Sequence, residues 1–315
     1  MARAHKPRAG SLQFWPRKRA KSIVPRVRSW PSCETVKPLG FAGYKVGMLH
    51  VIALDNTQNS PTKGQQVALP VTVIECPPLF VMGLRFYKNT VYGLKLISEV
   101  LADNLAKELS RKICMPKKKR QEVPQEFDDI KLLVHTMPYK TGIGKKKPEI
   151  FELAIGGKNK DEKLSYAKSM LGKEIKLSDV FNEGSYVDVH AVTKGKGFQG
   201  PVKRFGVSLK HHKSEKKRRS TGNLGSWTPT KVDWRVPQRG QMGFHTRTEY
   251  NKLILAINPQ DITPAGGFHK YGVVKNDVLL LKGSVPGAKK RIIRLVDAIR
   301  EPVKKEQYQI TQIVK

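Results

Sequence analysis

YVDVHAV, from Tyr186 to Val192, runs directly into TKGKGFQG, from Thr193 to Gly200. The first seven residues alternate apolar and polar side chains, the period of a β-strand with one face on a core. The next eight contain GxGxxG, from Gly195 to Gly200. After a strand, that pattern marks a dinucleotide site only under two conditions. A helix must follow, so that its first amides face a pyrophosphate, and an acid about 20 residues on must hold a ribose. Here Pro201, Lys203 and Arg204 follow, and the acid at the right distance, Glu215, sits inside the cationic run Lys213 to Arg219. The glycines therefore read as a flexible basic turn whose backbone can approach phosphates closely. No nucleotide cofactor is expected.

Upstream of this stretch, Tyr44 to Ala53 and Val67 to Glu75 are rich in Val, Ile and Leu between Gly and Pro, and read as strands. Leu253 to Ile257, Val278 to Leu281 and Ile292 to Val296 read the same way. Between the two groups lies a different pattern. Ser98 stands as an N-cap with Glu99 in the first turn. Leu101, Leu105 and Leu109 follow at i+4 spacing, and Arg111 and Lys112 close the last turn, which predicts a helix. Ile130 to His135 and Ile150 to Ile155 predict short strands, and Asp161 to Leu171 a second helix that stops at Gly172. The expected fold is therefore mixed β with an α+β insertion, its barrel strands split in sequence around that insertion. The expected boundaries are an extended basic arm over 1–37 and a discontinuous β-barrel from 38–85 with 186–200 and 245–300. An inserted domain spans 86–185, a long basic loop 201–244 and a tail 301–315.

Charge separates these parts further. The 315 residues hold 59 Lys and Arg against 26 Asp and Glu, a net charge of +33. Such an excess repels itself in a compact monomer and calls for a polyanionic partner. Met1 to Arg28 carries nine Lys and Arg and no acid, whereas Phe86 to Asp188 carries 20 against 15. Gly195 to Lys252 turns basic again, with 14 against Glu215, Asp233 and Glu249. The middle reads as an ordinary solvated domain, and the flanks as surfaces for a polyanion. Nucleic acid fits best, because phosphate spacing and condensed counterions favour multivalent Lys and Arg. No run of about 18 apolar residues exists to cross a bilayer, and no lipidation signal or amphipathic helix is visible to support surface attachment. Cys33, Cys76 and Cys114 lie far apart with no CxxC pair, so a thiolate zinc site is not expected.

The candidate RNA-binding residues follow from this. In the arm they are Arg8, Trp15, Arg17, Lys18, Arg19 and Lys21, where an aromatic among cations suits stacking on unpaired bases. Lys45 lies in the first strand. Lys194, Lys196, Lys203 and Arg204 surround the glycine turn. Lys210, His211, His212, Lys216, Lys217, Arg218 and Arg219 form a dense cationic run. Trp227, Trp234, Arg235 and Arg239 follow among Gly222, Gly225 and Pro229, as in a long irregular loop that inserts between RNA helices. His245 and Arg247 lie in GQMGFHTRT, Gly240 to Thr248, where Arg247 can fork onto a phosphate. The alternative for the arm is a solvated disordered tail, and for the run from Lys210 to Arg219 a solvated charged face. Adjacent His211 and His212 are poorly placed to share a metal ion, and no nucleophile–base pair stands out, so neither metal nor catalytic residues are expected.

Phe181, Asp188, Ala191, Thr193, Gly195, Lys196, Gly197, Gly200 and Arg204 stand at the spacing of a known family signature. The chain resembles the universal ribosomal protein L-three family of the large subunit. The likeness continues through Gly10 to Arg17, Gly40 to Met48, Gly240 to Lys252 and Gly283 to Gly287, and so covers most of the chain. It implies a translation-factor-like β-barrel, with the N-terminal extension and the long internal loop threaded into rRNA. It places the loop's aromatic tip, Gly225 to Pro229 with Trp227, near the peptidyl transferase centre. It also implies a structural constituent of the large ribosomal subunit in the cytoplasm rather than an enzyme. The implied partners are 23S-type rRNA and neighbouring ribosomal proteins, with no cofactor, small-molecule substrate or membrane. The long insertion and modest length resemble the archaeal branch. Eukaryotic members of the family carry a histidine upstream of the loop Trp, and Glu215 lies near that place here. The alternative is a free RNA-binding assembly factor or RNA-acting enzyme whose chemistry lies in the near-neutral middle block.

Overall fold

The computed structural model describes residues 7–116, 123–214 and 217–315. Its strands in chain order are β1 (Gly40–Asp55), β2 (Gln66–Glu75), β3 (Leu79–Thr90), β4 (Gly93–Leu101) and β5 (Asp129–Thr136). They continue with β6 (Ile150–Ala154), β7 (Glu174–Ile175), β8 (Tyr186–Val192), β9 (Phe198–Gln199) and β10 (Gly240–Gln241). The last four are β11 (Thr246–Ile257), β12 (Val278–Lys282), β13 (Ile292–Asp297) and β14 (Tyr308–Val314). Two α-helices, α1 (Lys160–Met170) and α2 (Pro201–Phe205), are short. The chain forms two compact units, one of residues 1–22 and 192–246, the other of 23–191 and 247–315.

The larger unit contains two sheets. In the first, pairing runs β13-β8-β11-β12-β2-β1-β14, and β13 also pairs with β1. Six strands therefore form a ring of pairings with no free edge among them, which satisfies their backbone groups internally. Phe41, Val46, Val51, Val71, Val73, Val187, Val189, Leu279, Leu281, Ile293 and Leu295 are buried in its core. The second sheet has the order β4-β3-β5-β6, with β7 beside β3. β3 begins at Leu79, so a boundary at residue 86 falls in mid-strand.

The alternation in YVDVHAV predicts one wet face, yet all seven residues of β8 are buried. The polar members are accommodated rather than exposed. Asp188 accepts hydrogen bonds from the amides of Asn251 (2.9 Å) and Ile299 (3.1 Å), and His190 Nδ1 pairs with Thr248 Oγ1 (2.9 Å).

Three expectations are corrected. The first concerns Ser98, Glu99 and Leu101, which end β4 instead of starting a helix. They pair with β3 in the register Phe86↔Ser98, Arg85↔Glu99 and Gly83↔Leu101. Only a 3₁₀ turn at Lys107–Arg111 remains helical there, with Leu109 fully buried. Local spacing favoured a helix, but partner strands decide the outcome where Leu96 and Val100 can pair with Tyr87 and Leu84. The second concerns the region read as a tail. Its residues 308–314 form β14, which pairs with β1 from Asp55↔Tyr308 to His50↔Val314. The third concerns Pro201. It begins the one-and-a-half-turn helix α2, because proline at the first helical position loses no hydrogen bond.

Residues 7–37 contain no helix or strand among those described. They divide between the two units. Val27 is buried, Trp30 packs on the larger core, and Lys37 pairs with Asp297 at 2.9 Å.

Candidate nucleic-acid interface

The smaller unit is built on a two-stranded stem. Thr193 N donates to His245 O (2.9 Å), Phe244 N to Lys194 O (3.2 Å), Lys196 N to Met242 O (2.9 Å) and Met242 N to Gly197 O (2.9 Å). β9 and β10 continue the ladder with Gln199↔Gly240 and Phe198↔Gln241. GxGxxG is thus one side of a ribbon. At its centre Gly243 has φ +72°, and a Cβ there would lie 2.0 Å from Lys194 O, so any side chain would split the stem.

The arm is strapped to this stem by cations that the sequence offered to phosphate. Arg204, on α2, donates through Nε to Gln241 O (3.0 Å) and through Nη1 to Gln238 O (2.9 Å). Burial lowers its pKa. Arg17 donates to Arg204 O (3.1 Å) and Ser11 O (2.8 Å), with its guanidinium carbon 4.1 Å from the Phe205 ring centroid. Trp15 packs against Phe205 and Trp234, at centroid distances of 6.2 and 5.2 Å. His245 Nδ1 lies 2.9 Å from Lys18 O, and Ala20 N donates to Phe244 O (2.8 Å). Arg8 reaches Arg235 O. Residues 8–20 and the loop, distant in sequence, form one packed body.

Other cations point outward. Lys18, Arg19, Lys21, Lys194, Lys196, Lys203, His211, His212, Lys217, Arg218, Arg219, Arg235 and Arg239 are exposed. Lys210 is half-buried, its amide donating to Arg218 O (3.1 Å), and the rings of His211 and His212 lie 4.1 Å apart. The unit's sequence holds 20 Lys and Arg against Glu215 and Asp233 alone. Asp233 is used in a turn, accepting from Arg235 N at 2.8 Å. Among the described residues, none of Lys194, Lys196, Lys203, Lys217, Arg218, Arg219 and Arg239 pairs with a carboxylate. The larger unit differs: Arg85 bridges Glu99 and Glu152, and Lys37, Lys88, Lys140, Lys145, Lys158 and Lys160 each have an acid. Part of the larger unit's charge is paired in this way, whereas the exposed cations named in the smaller unit have no acid among the described residues.

A groove of about 700 Å³ crosses this basic surface, lined by Lys217, Arg218, Arg219, Arg239, Leu224 and Phe198. Phe198 is 69% exposed and was missed in the sequence, although an aromatic inside a glycine turn is itself a signal for stacking. Trp227 is 91% exposed, whereas Trp15 is half-buried and Trp234 shares its surface with it. Two candidates lie elsewhere, in the larger unit. Lys45 on β1 donates its ammonium to Val285 O, and Arg247 on β11 is half-buried with a lowered pKa from desolvation. Lys216 and Glu215 lie outside the described residues. No cluster of three metal-ligating side chains occurs among the described residues.

The profile of the family described as ribosomal protein L3 matches residues 1–123 and 116–312. The large ribosomal subunit protein uL3 of Methanobrevibacter smithii is 53% identical over 97% of this chain and 95% of its own length. Its namesakes from Archaeoglobus fulgidus and Methanocaldococcus jannaschii are 54% and 50% identical, covering 95% and 94% of this chain and 93% and 92% of theirs.

Proposed function

The chain belongs to the ribosomal protein L3 family, and from that premise we propose that it is a structural, non-enzymatic constituent of an archaeal-type large ribosomal subunit. It binds the large-subunit rRNA, helps that RNA fold and assemble, and has ribosomal proteins for neighbours. The closed ring of strands in the larger unit serves as a translation-factor-type barrel that anchors on the RNA surface. The smaller unit is the part that enters the RNA. Its exposed cations neutralise phosphates where helices crowd, and Trp227 at the loop tip packs on bases near the peptidyl transferase centre. Influence on peptide-bond formation is indirect, through RNA position.

One observation carries this reading: the smaller unit's sequence holds 20 cations against two acids, and its described Lys194, Lys196, Lys203, Lys217, Arg218, Arg219 and Arg239 are exposed with no carboxylate partner among the described residues. A polyanion is what such a surface lacks. The cations held inside have a separate role. Arg17 and Arg204 fix the shape of a body that, by composition alone, would repel itself.

The test is the salt dependence of binding to large-subunit rRNA. If about 10 phosphates are neutralised, log K falls against log[salt] with a slope of about −7 to −9. A slope shallower than about −3 overturns the extended contact surface. Sedimentation in high salt separates the alternative: a structural constituent stays with the subunit, and a free assembly factor or enzyme washes off.

A further inference from the structure

The hairpin of β3 and β4 carries an apolar surface that RNA binding leaves unused. Val91 and Tyr92 at its tip are fully exposed, and Leu94, Leu96 and Ile97 on β4 are 51%, 41% and 42% exposed. Contiguous exposed apolar surface of this kind marks a contact site. The tip is ordered: Thr90 pairs with Gly93, and Thr90 Oγ1 donates to Gly93 O at 2.7 Å. The inner edge of β4 is paired with β3 from Thr90↔Gly93 to Gly83↔Leu101. Its outer edge ends the five-stranded sheet and has no partner among the described residues. Sheet edges are usually guarded by charge, proline or bulges. Here the guards are Lys95 and a register shift opposite Phe86 and Tyr87.

Charge decides the kind of partner. The chain carries an excess of +33, yet from Val91 to Ile97 only Lys95 is charged. Beside the hairpin, Lys88 is matched by Glu126 at 2.7 Å and Lys160 by Asp128 at 3.2 Å. Among the described residues a phosphate backbone finds only Lys95 open on this hairpin, and it would cover apolar side chains at a desolvation cost. An extended peptide satisfies both features, because its main chain completes the open ladder and its side chains cover the leucines. We infer that the outer edge of β4 receives an extended segment of a second protein, with apolar residues over Leu94 and Leu96 and an acid beside Lys95. The source is a neighbour in the assembled subunit, so this inference rests on the function proposed above.

The experiment uses the full chain with the photo-reactive residue p-benzoylphenylalanine at position 92, assembled into large subunits purified by sedimentation. The expected product is an adduct to one subunit protein, with the crosslinked peptide in an extended segment. An adduct to rRNA alone, or no adduct in subunits that contain the chain, overturns the inference. Absence of the chain from the subunits overturns the proposed function as well, so the two failures are distinguishable. A second variant, Leu94→Lys, places a charge on the edge at an exposed position that needs no refolding. Retention of the crosslinked neighbour through a salt wash should fall at least about threefold, while the melting midpoint of the free chain stays put. Unchanged retention overturns the inference.

Discussion

Trp15 and Trp234 pack ring against ring, their centroids 5.2 Å apart and their planes at 51°, and so tie the start of the chain to the far limb of the long loop. A pair of this geometry contributes about 0.5–1.5 kcal/mol beyond its buried area. Trp15→Ala and Trp234→Ala are therefore expected to loosen the same strap, and a double-mutant cycle should give a coupling of about that size. The readout is hydrogen exchange at the Ala20 amide, which donates to Phe244 O across the joint. Additive effects would mean that the rings are neighbours without being coupled.

Trp227 has no such role in the free protein, being 91% exposed. Trp227→Ala should leave the melting midpoint of the isolated chain unchanged and weaken rRNA contact by about 1–3 kcal/mol, the value of one lost base stack. Incorporation into subunits should survive while translation by those subunits is impaired. Subunits that fail to assemble at all would contradict this assignment.

Glu75, at the end of β2, is fully buried and holds a loop to that strand by accepting four hydrogen bonds. They come from the Tyr271 hydroxyl (2.5 Å), the amides of Lys275 (3.0 Å) and Asn276 (3.1 Å), and Asn276 Nδ2 (2.7 Å). Burial, and after it the Glu75 carboxylate, raise the Tyr271 pKa, which keeps the hydroxyl a donor. Glu75→Gln keeps the volume but removes the charge and turns one acceptor into a donor facing donors. A loss of about 2–3 kcal/mol in stability is expected, read from chemical denaturation. A change below about 0.5 kcal/mol would show that the loop is held by packing alone.

His135 and His190 are buried and have lowered pKa values, burial being the main cause; Arg294 adds repulsion at His190. In the unfolded chain each returns to about 6.5. Between the two values the unfolded state binds more protons, so stability rises with pH there and is flat above about 6.5. Lowering the pH from about 7 to 5 should lower the melting midpoint. His190→Asn, which retains a hydrogen-bonding group toward Thr248, should flatten part of that slope. A variant with the parent's slope would exclude His190 as a contributor. Asp55, held far below the usual carboxylate range by Ser60, Thr62 and Thr57, acts only at more acidic pH and does not confuse the result.

Lys45 and Arg204 show why the site was only partly legible. Both are cations in basic surroundings, and nothing in their neighbours reveals that each spends donors on main-chain carbonyls: Lys45 on Val285, Arg204 on Gln241 and Gln238. Partners separated by tens or hundreds of residues leave no local trace. The same holds for Ser98, where a sound capping pattern gave way to pairing with Phe86. Phe198 was legible in principle, as an aromatic among glycines and lysines.

Composition and periodicity alone called for a polyanionic partner and gave the scaffold its β character, because net charge and side-chain period are carried by consecutive residues and need no fold to be counted. They also placed β1, β2, β5, β8, β12, β13 and α1, each specified by its own periodicity or punctuation. Which cations face outward and which tie residues 8–20 to the stem, that residues 308–314 pair with β1, and that both faces of β8 are buried became visible only once the chain was folded. Those outcomes depend on contacts between distant segments, and the free energy of a long-range contact is written in neither segment alone.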